Sequence, residues 1–221
     1  MSYFLGSCFL GSGFLAQHAS EIAELTLEHL WLTGSAMLLA AAIGVPTGIW
    51  LTRHPRWAKP VLGVVNIIQT IPSLALFGFL LPLPWIGDRA ARIAIAALTA
   101  YALLPIVRNT YAGIEGVDPT VLEVAKALGM TSGQRLRKVE LPLAASFILA
   151  GLRTATVLAV GIATIAAAVG AGGLGEFIFR GVASVDNRLV LAGAIPAALL
   201  AIGADAGLGW VESRLRVPGR T

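Results

Sequence analysis

The chain is poor in nearly everything that a catalytic or disulfide-built protein uses. It has one cysteine, Cys8, among 221 residues, which excludes an intrachain disulfide and a thiolate metal site. At that place it reads as a small apolar residue. The histidines, His18, His29 and His54, stand far apart, and an apolar segment separates the last from the other two. A shared metal site is therefore not expected. No GxxxxGK[ST] loop, GxSxG elbow or HExxH pair occurs, so the usual nucleotide, acyl-transfer and zinc-hydrolase signatures are missing. Charge is scarce as well: 13% of residues are charged against 57% hydrophobic. A water-soluble domain of this length needs more polar surface, and a mean hydropathy of +0.81 places the chain in a bilayer as a single membrane domain. Within its apolar segments the acids dwindle to Asp205. Carriers driven by protons or sodium more often show buried ionisable groups or broken helices in paired repeats, and no such repeat is visible. The net charge of +4 is spread over several loops, which fits cytoplasmic loops of a membrane protein and not a nucleic-acid footprint.

What is present is a series of apolar runs. Residues 1–29 lack Lys and Arg but carry Glu21, Glu24 and Glu28. The opening run has no basic n-region, so it is expected to be retained. Ile22, Leu25, Leu27 and Leu30 predict a partly amphipathic helix, with residues 1–29 lying at the interface. The first full span is expected at Leu30–Leu51, with Gly44 and Gly48 flanking Pro46 as a helix-contact pair. The second is expected at Val61–Leu81. There Asn66, Gln69, Thr70 and Ser73 recur at helical spacing and fall on one face. Polar groups at membrane depth need protein or water, so this face lines a translocation path or bonds a neighbouring helix. A third span at Arg92–Val107 contains Tyr101 and Pro105, and a fourth at Leu143–Val169 contains Arg153. Burying an arginine at mid-bilayer costs about 2.5–3.5 kcal/mol, so Arg153 is expected to snorkel or to form an ion pair. Asp205, late in a fifth span at Leu189–Val211, is expected to pair with a basic residue. Gly203 and Gly207 around it form a second packing pair.

Between the fourth and fifth spans, Gly170, Gly172 and Gly175 match GxGxxG. No strand precedes them and no βαβ context follows, so close backbone packing is expected there in place of dinucleotide binding. A short helix is expected around Leu174–Gly181. Basic residues weigh towards one side: Arg53, Arg56 and Lys59 in one loop, Arg108 through Lys138 in another, and Arg214, Arg216 and Arg220 in the tail. Only Arg89, Arg92, Arg180 and Arg188 fall opposite. The bias predicts five spans with the N-terminus outside and the C-terminus inside. Trp31, Trp50, Trp57, Trp85 and Trp210 all fall at span ends or loops, as an interface belt does.

The longest polar interruption is YAGIEGVDPTVLEVAKALGMTSGQRLRKVELP, residues 111–142. Asp118 caps a helix, Pro119 suits its first turn, and Gly129 stands where it stops. Val121, Leu122, Ala125 and Leu128 fall on one side of it. Thr131 and Gln134 have capping-box spacing for a second start, and Pro142 is expected to break or kink the chain. Two short helices with a Gly hinge between membrane spans suggest a docking element.

That stretch resembles the EAA motif of ABC importer permeases, written E-A-A, three residues, G, nine residues, I-x-L-P. Here Glu123, Val124 and Ala125 lead to Gly129, and then to Val139, Glu140, Leu141 and Pro142; Val124 and Val139 are conservative departures. The phrases IPSLALFGFL, YALLPIVRNTYAGI, GAGGLGEFIFRG and LAGAIPAALLA resemble the osmoprotectant (glycine betaine, carnitine, choline) permeases across roughly residues 25–215. The resemblance implies an all-α membrane protein of about five spans with the type I importer fold, similar to the methionine importer. Its domains would be an N-terminal segment 1–29, a permease domain 30–211 and a cytoplasmic tail 212–221.

It further implies a transporter subunit of the cytoplasmic membrane, not an enzyme, with no cofactor of its own and with ATP and Mg held by two partner ATPase subunits. A solute-binding protein outside the membrane and a second permease copy, identical or related, complete the implied assembly. Coupling to the ATPase would rest on Glu123, Ala125, Lys126, Leu128, Gly129 and Met130. The candidate path residues are Asn66, Gln69, Thr70, Ser73 and Tyr101. The competing readings are an ABC permease for another small polar or amino-acid-derived solute, and a channel or carrier working without an ATPase.

Overall fold

The computed structural model describes residues 17–83 and 90–215. Cys8, Trp85, the turn through Gly87 and Asp88, Arg89, Arg216 and Arg220 lie outside them. Among the described residues every regular element is helical: α1 (Ala19–Arg53), α2 (Pro55–Thr70), α3 (Ser73–Leu80), α4 (Ala90–Glu115), α5 (Pro119–Ala127) and α6 (Ser132–Arg135), then a π turn (Leu136–Glu140), α7 (Leu141–Ala166), a 3-10 turn (Ala167–Val169), α8 (Gly175–Ser184) and α9 (Asn187–Leu215). Among the described residues four runs are long and apolar enough to cross a membrane: α1, α4, Ser132–Val169 and α9. A fifth results if the bent pair α2–α3 counts as one span.

Three expectations need correcting. The amphipathic helix expected around Ile22–Leu30 and the span expected at Leu30–Leu51 are one helix, unbroken from Ala19 to Arg53. Glu28 and His29, within it, find partners inside the chain. The second span is not one helix, because the chain leaves helical geometry at Ile71 and Pro72. Proline has no N–H to donate and pushes the residue before it away from the α region. Pro142, by contrast, neither breaks nor ends its helix. It cannot donate to the carbonyl four residues back and its ring crowds that turn, so the helix widens just upstream. Leu141 N–H donates to Leu136 O, five residues back, and Leu136–Glu140 is a π turn.

The chain divides into two compact units. One comprises Met1–Ala36, Ile71–Leu98 and Leu158–Ile202; the other comprises Met37–Thr70, Thr99–Val157 and Gly203–Thr221. The first unit is built around Leu25, Leu174, Phe177, Ala192 and Ala197. Its GxGxxG loop uses glycine for two separate reasons. Gly170 and Gly172 have φ of 76° and 81°, in the left-handed region that side chains disfavour. Gly175 has no such φ, but a Cβ there would lie 1.9 Å from Thr164 O. The expected backbone packing therefore holds at Gly175, while Gly170 and Gly172 serve the turn.

The second unit is built around Ala40, Ala102, Ile106 and Ala155. Its helices meet at glycines. A Cβ on Gly44 would lie 2.8 Å from Ile106 Cγ2, on Gly48 2.6 Å from Thr110 Cβ, on Gly113 2.7 Å from Phe147 Cβ, and on Gly151 2.7 Å from Pro105 O. These contacts bring α1 and α7 onto α4 at backbone distance, the close approach that small residues permit in membrane bundles. Gly203 and Gly207 have the same spacing but nothing within 4 Å. Among the described residues the packing expected of them is thus absent.

Candidate functional site

The polar stretch folds as its local chemistry directs. Asp118 Oδ1 accepts from Thr120 N at 2.8 Å with Pro119 at the first helical position, satisfying a donor that α5 leaves open. At the other end Gly129, φ 76°, closes a Schellman motif. Its N–H donates to Lys126 O at 2.9 Å, and that of Met130 donates to Ala125 O at 3.1 Å. Thr131 then opens α6 through a reciprocal capping box: its N–H donates to Gln134 Oε1 at 2.8 Å, and Gln134 N–H donates to Thr131 Oγ1 at 3.3 Å. The hairpin α5–α6 is thus stopped, turned and restarted within five residues, Leu128 through Ser132.

The residues that share a side of α5 differ in burial. Ala125 is buried, whereas Val121, Val124 and Leu128 are exposed, Leu128 at 77%. Helical geometry groups these three on one side, and Glu123 and Lys126 are exposed as well. Ala125 is therefore the foot of the helix on its own protein. Gly129 is exposed with open space around it, so its backbone angle and not crowding requires glycine. Met130 is half-buried. What α5 offers outward is an apolar strip bordered by one acid and one base.

The five path candidates separate. Gln69 and Tyr101 come together: Gln69 Nε2 donates to the Tyr101 carbonyl at 2.9 Å. That carbonyl lies four residues before Pro105, which has no N–H for it. Gln69 supplies from α2 the bond that α4 cannot make. This is the interhelical alternative, on a carbonyl opened by Pro105. Tyr101 is buried. Asn66 and Thr70 are exposed on α2, Thr70 bonding its own helix at Ile67 O. Ser73 begins α3 in the other unit.

Arg153 pairs as expected, and its partner is Asp205. Nε and Nη2 donate to the two carboxylate oxygens at 2.5 and 2.6 Å, with Glu212 3.6 Å away. Sequence reasoning missed three other ionisable groups. Glu28 accepts from Gly173 N–H at 3.0 Å. The ring Nε2 of the fully buried His29 is 3.1 Å from Val160 O. Glu140, buried in the π turn, forms an ion pair with Arg53 at the end of α1. Nothing local announces these pairings, whose partners stand 87 to 145 residues apart. Among the described residues no group of three His, Cys, Asp or Glu is placed to hold a metal.

Comparison with known proteins places this geometry. Residues 44–217 match the family model described as binding-protein-dependent transport system inner membrane component. The choline transport system permease protein OpuBB of Bacillus subtilis is 43% identical, over 93% of this chain and 94% of the relative. The osmoprotectant import permease protein OsmW of Salmonella typhimurium is 44% identical, over 92% and 94%. Among solved structures, a chain of the MetNI methionine ABC transporter aligns with a TM-score of 0.78 at 22% identity, over 86% of this chain and 94% of that one. That likeness establishes the fold.

Proposed function

The chain belongs to the family of binding-protein-dependent transport system inner membrane components, and on that premise we propose that it is the permease subunit of an ATP-driven importer for a compatible solute. Glycine betaine, choline and carnitine are the solutes named for its relatives. The chain forms the translocation path, while ATP and Mg are bound and consumed by two partner ATPase subunits. A solute-binding protein outside the membrane delivers the cargo, and a second permease copy, identical or related, completes the path.

The observation that carries this reading is the outward strip of Val121, Val124 and Leu128 on a short helix fixed at both ends. An apolar strip left open on a polar loop marks a protein contact, and the caps hold it rigid enough to transmit a push. Glu123 and Lys126 border the contact, and Gly129 sets the turn behind it. Asn66 and Thr70 line the path from α2, because exposed amide and hydroxyl groups at membrane depth are unfavourable against lipid. Gln69 and Tyr101 act behind them as scaffold.

Glu123→Arg and Gly129→Asp are expected to abolish copurification with the ATPase while the permease still inserts. Normal copurification of both variants would refute the docking assignment. The charge bias puts α5 on the cytoplasmic side. A cysteine introduced by Ser132→Cys is therefore expected to resist membrane-impermeant thiol reagents in intact cells, and labelling from outside would overturn the orientation.

A further inference from the structure

We propose that Arg53 and Glu140 form a strut that delivers movement of the docking hairpin to α1 as well as to α7, and so positions the coupling machinery of the importer. The inference rests on the reading above and adds a role for two residues outside the docking helix. Arg53 is the last residue of α1, and Glu140 is the last residue of the π turn that carries α6 into α7. All of these segments lie within one compact unit. The Glu140 side chain is 3% exposed and that of Arg53 38%.

Two physical arguments single the pair out. An ion pair with only one partner buried, as here, is a weak source of stability, since well-packed apolar residues of similar volume often serve as well. What it adds is a specified geometry. The π turn is the second argument. Its extra residue is held by the Leu141–Leu136 bond, and such bulges recur at functional sites. If the turn relaxed to ordinary α geometry, Glu140 would rotate about the helix axis away from Arg53. The ion pair therefore holds the turn in register and α1 to the hairpin together. Without it, a push on α5 reaches the membrane helices through the covalent path into α7. Close packing at Gly113 and Gly151 passes it from α7 to α4, and Gly44 and Gly48 make α1 follow; the strut is the direct link to the end of α1.

The test uses the complete complex of permease, ATPase and binding protein in proteoliposomes. Solute uptake per ATP hydrolysed is compared with ATPase copurification. Glu140→Gln and Arg53→Gln are expected to copurify with the ATPase and hydrolyse ATP, while uptake per ATP falls by about fivefold or more, the lower end of ordinary coupling between sites. The exchange Arg53→Glu with Glu140→Arg is expected to restore most of that ratio. The double variant Arg53→Leu with Glu140→Met keeps the site packed without charge, and its uptake per ATP is expected to stay low. Wild-type uptake per ATP in that apolar pair, or in both single variants, would overturn the strut. Failure of the unmodified permease to copurify with the ATPase would instead refute the function proposed above and leave the ion pair without this role.

Discussion

Gly175 and Gly203 offer a sharp test of how closely this chain is packed, because the same substitution should act in opposite directions at the two sites. A methyl group on Gly175 would lie 1.9 Å from Thr164 O, 2.7 Å from Thr164 C and 2.9 Å from Ala167 Cβ. The first two atoms are helix backbone, which cannot turn aside as a side-chain end can. Ordinary contact therefore requires α8 to move away from α7 by more than 1 Å, roughly the shortfall from a normal van der Waals separation. Overpacking of this kind costs about 1–3 kcal/mol and sometimes more. Gly203 stands inside α9 with nothing within 4 Å, so Gly203→Ala meets no obstacle and gains the roughly 0.5–1 kcal/mol by which alanine exceeds glycine in a helix. At about 2–4 °C per kcal/mol for a chain of this size, Gly175→Ala should lower Tm by about 2–12 °C and Gly203→Ala raise it by about 1–4 °C. Thermal unfolding of the isolated chain in detergent, followed by circular dichroism, separates the two. A Gly175→Ala variant as stable as the parent would refute the packing argument. A loss at Gly203 in the isolated chain would refute the reading that α9 is open there.

Two further sets of substitutions probe the polar contacts. Gln69→Leu removes the bond to the Tyr101 carbonyl and should cost about 1–3 kcal/mol. Adding Pro105→Ala restores to α4 its own N–H, so the double variant should melt above Gln69→Leu alone; equal melting would show that Gln69 does not serve the carbonyl opposite Pro105. Arg153→Gln and Asp205→Asn should each reduce the yield of folded protein in the membrane. The exchange Arg153→Asp with Asp205→Arg should recover it, and a cycle without coupling would show the pair to be incidental.

The parts of this fold that were legible in the sequence are those whose partners lie within one helical turn. Asp118 with Thr120, Gly129 with Lys126, and Thr131 with Gln134 are bonds over two or three residues. Residue type and spacing suffice to predict such bonds. Arg153 and Asp205 were legible for another reason: isolated charges in apolar spans must find company, and few candidates exist. The break in the second span was less so. Its polar face looked like one continuous helix, and Pro72 could have signalled either a kink or an end.

The two GxxxG pairs mark where that legibility stops. Gly44–Gly48 and Gly203–Gly207 are alike in spacing and setting, yet the first is pressed against α4, while among the described residues nothing lies within 4 Å of a Cβ on the second. Periodicity describes the face a helix presents, whereas packing depends on what arrives opposite, and that depends on the whole topology. The same limit hid Glu28, His29 and Glu140. Each lies beside residues read for some other purpose, and each is satisfied by a group from a distant part of the chain. It also left open which residues of α5 are covered. Its apolar spacing was correct, but the sequence could not say that Ala125 would face home while Val121, Val124 and Leu128 face outward. An apolar helix face normally signals a core; here the core takes only the smallest residue and leaves the larger ones open, the arrangement needed by a helix whose main contact belongs to another protein.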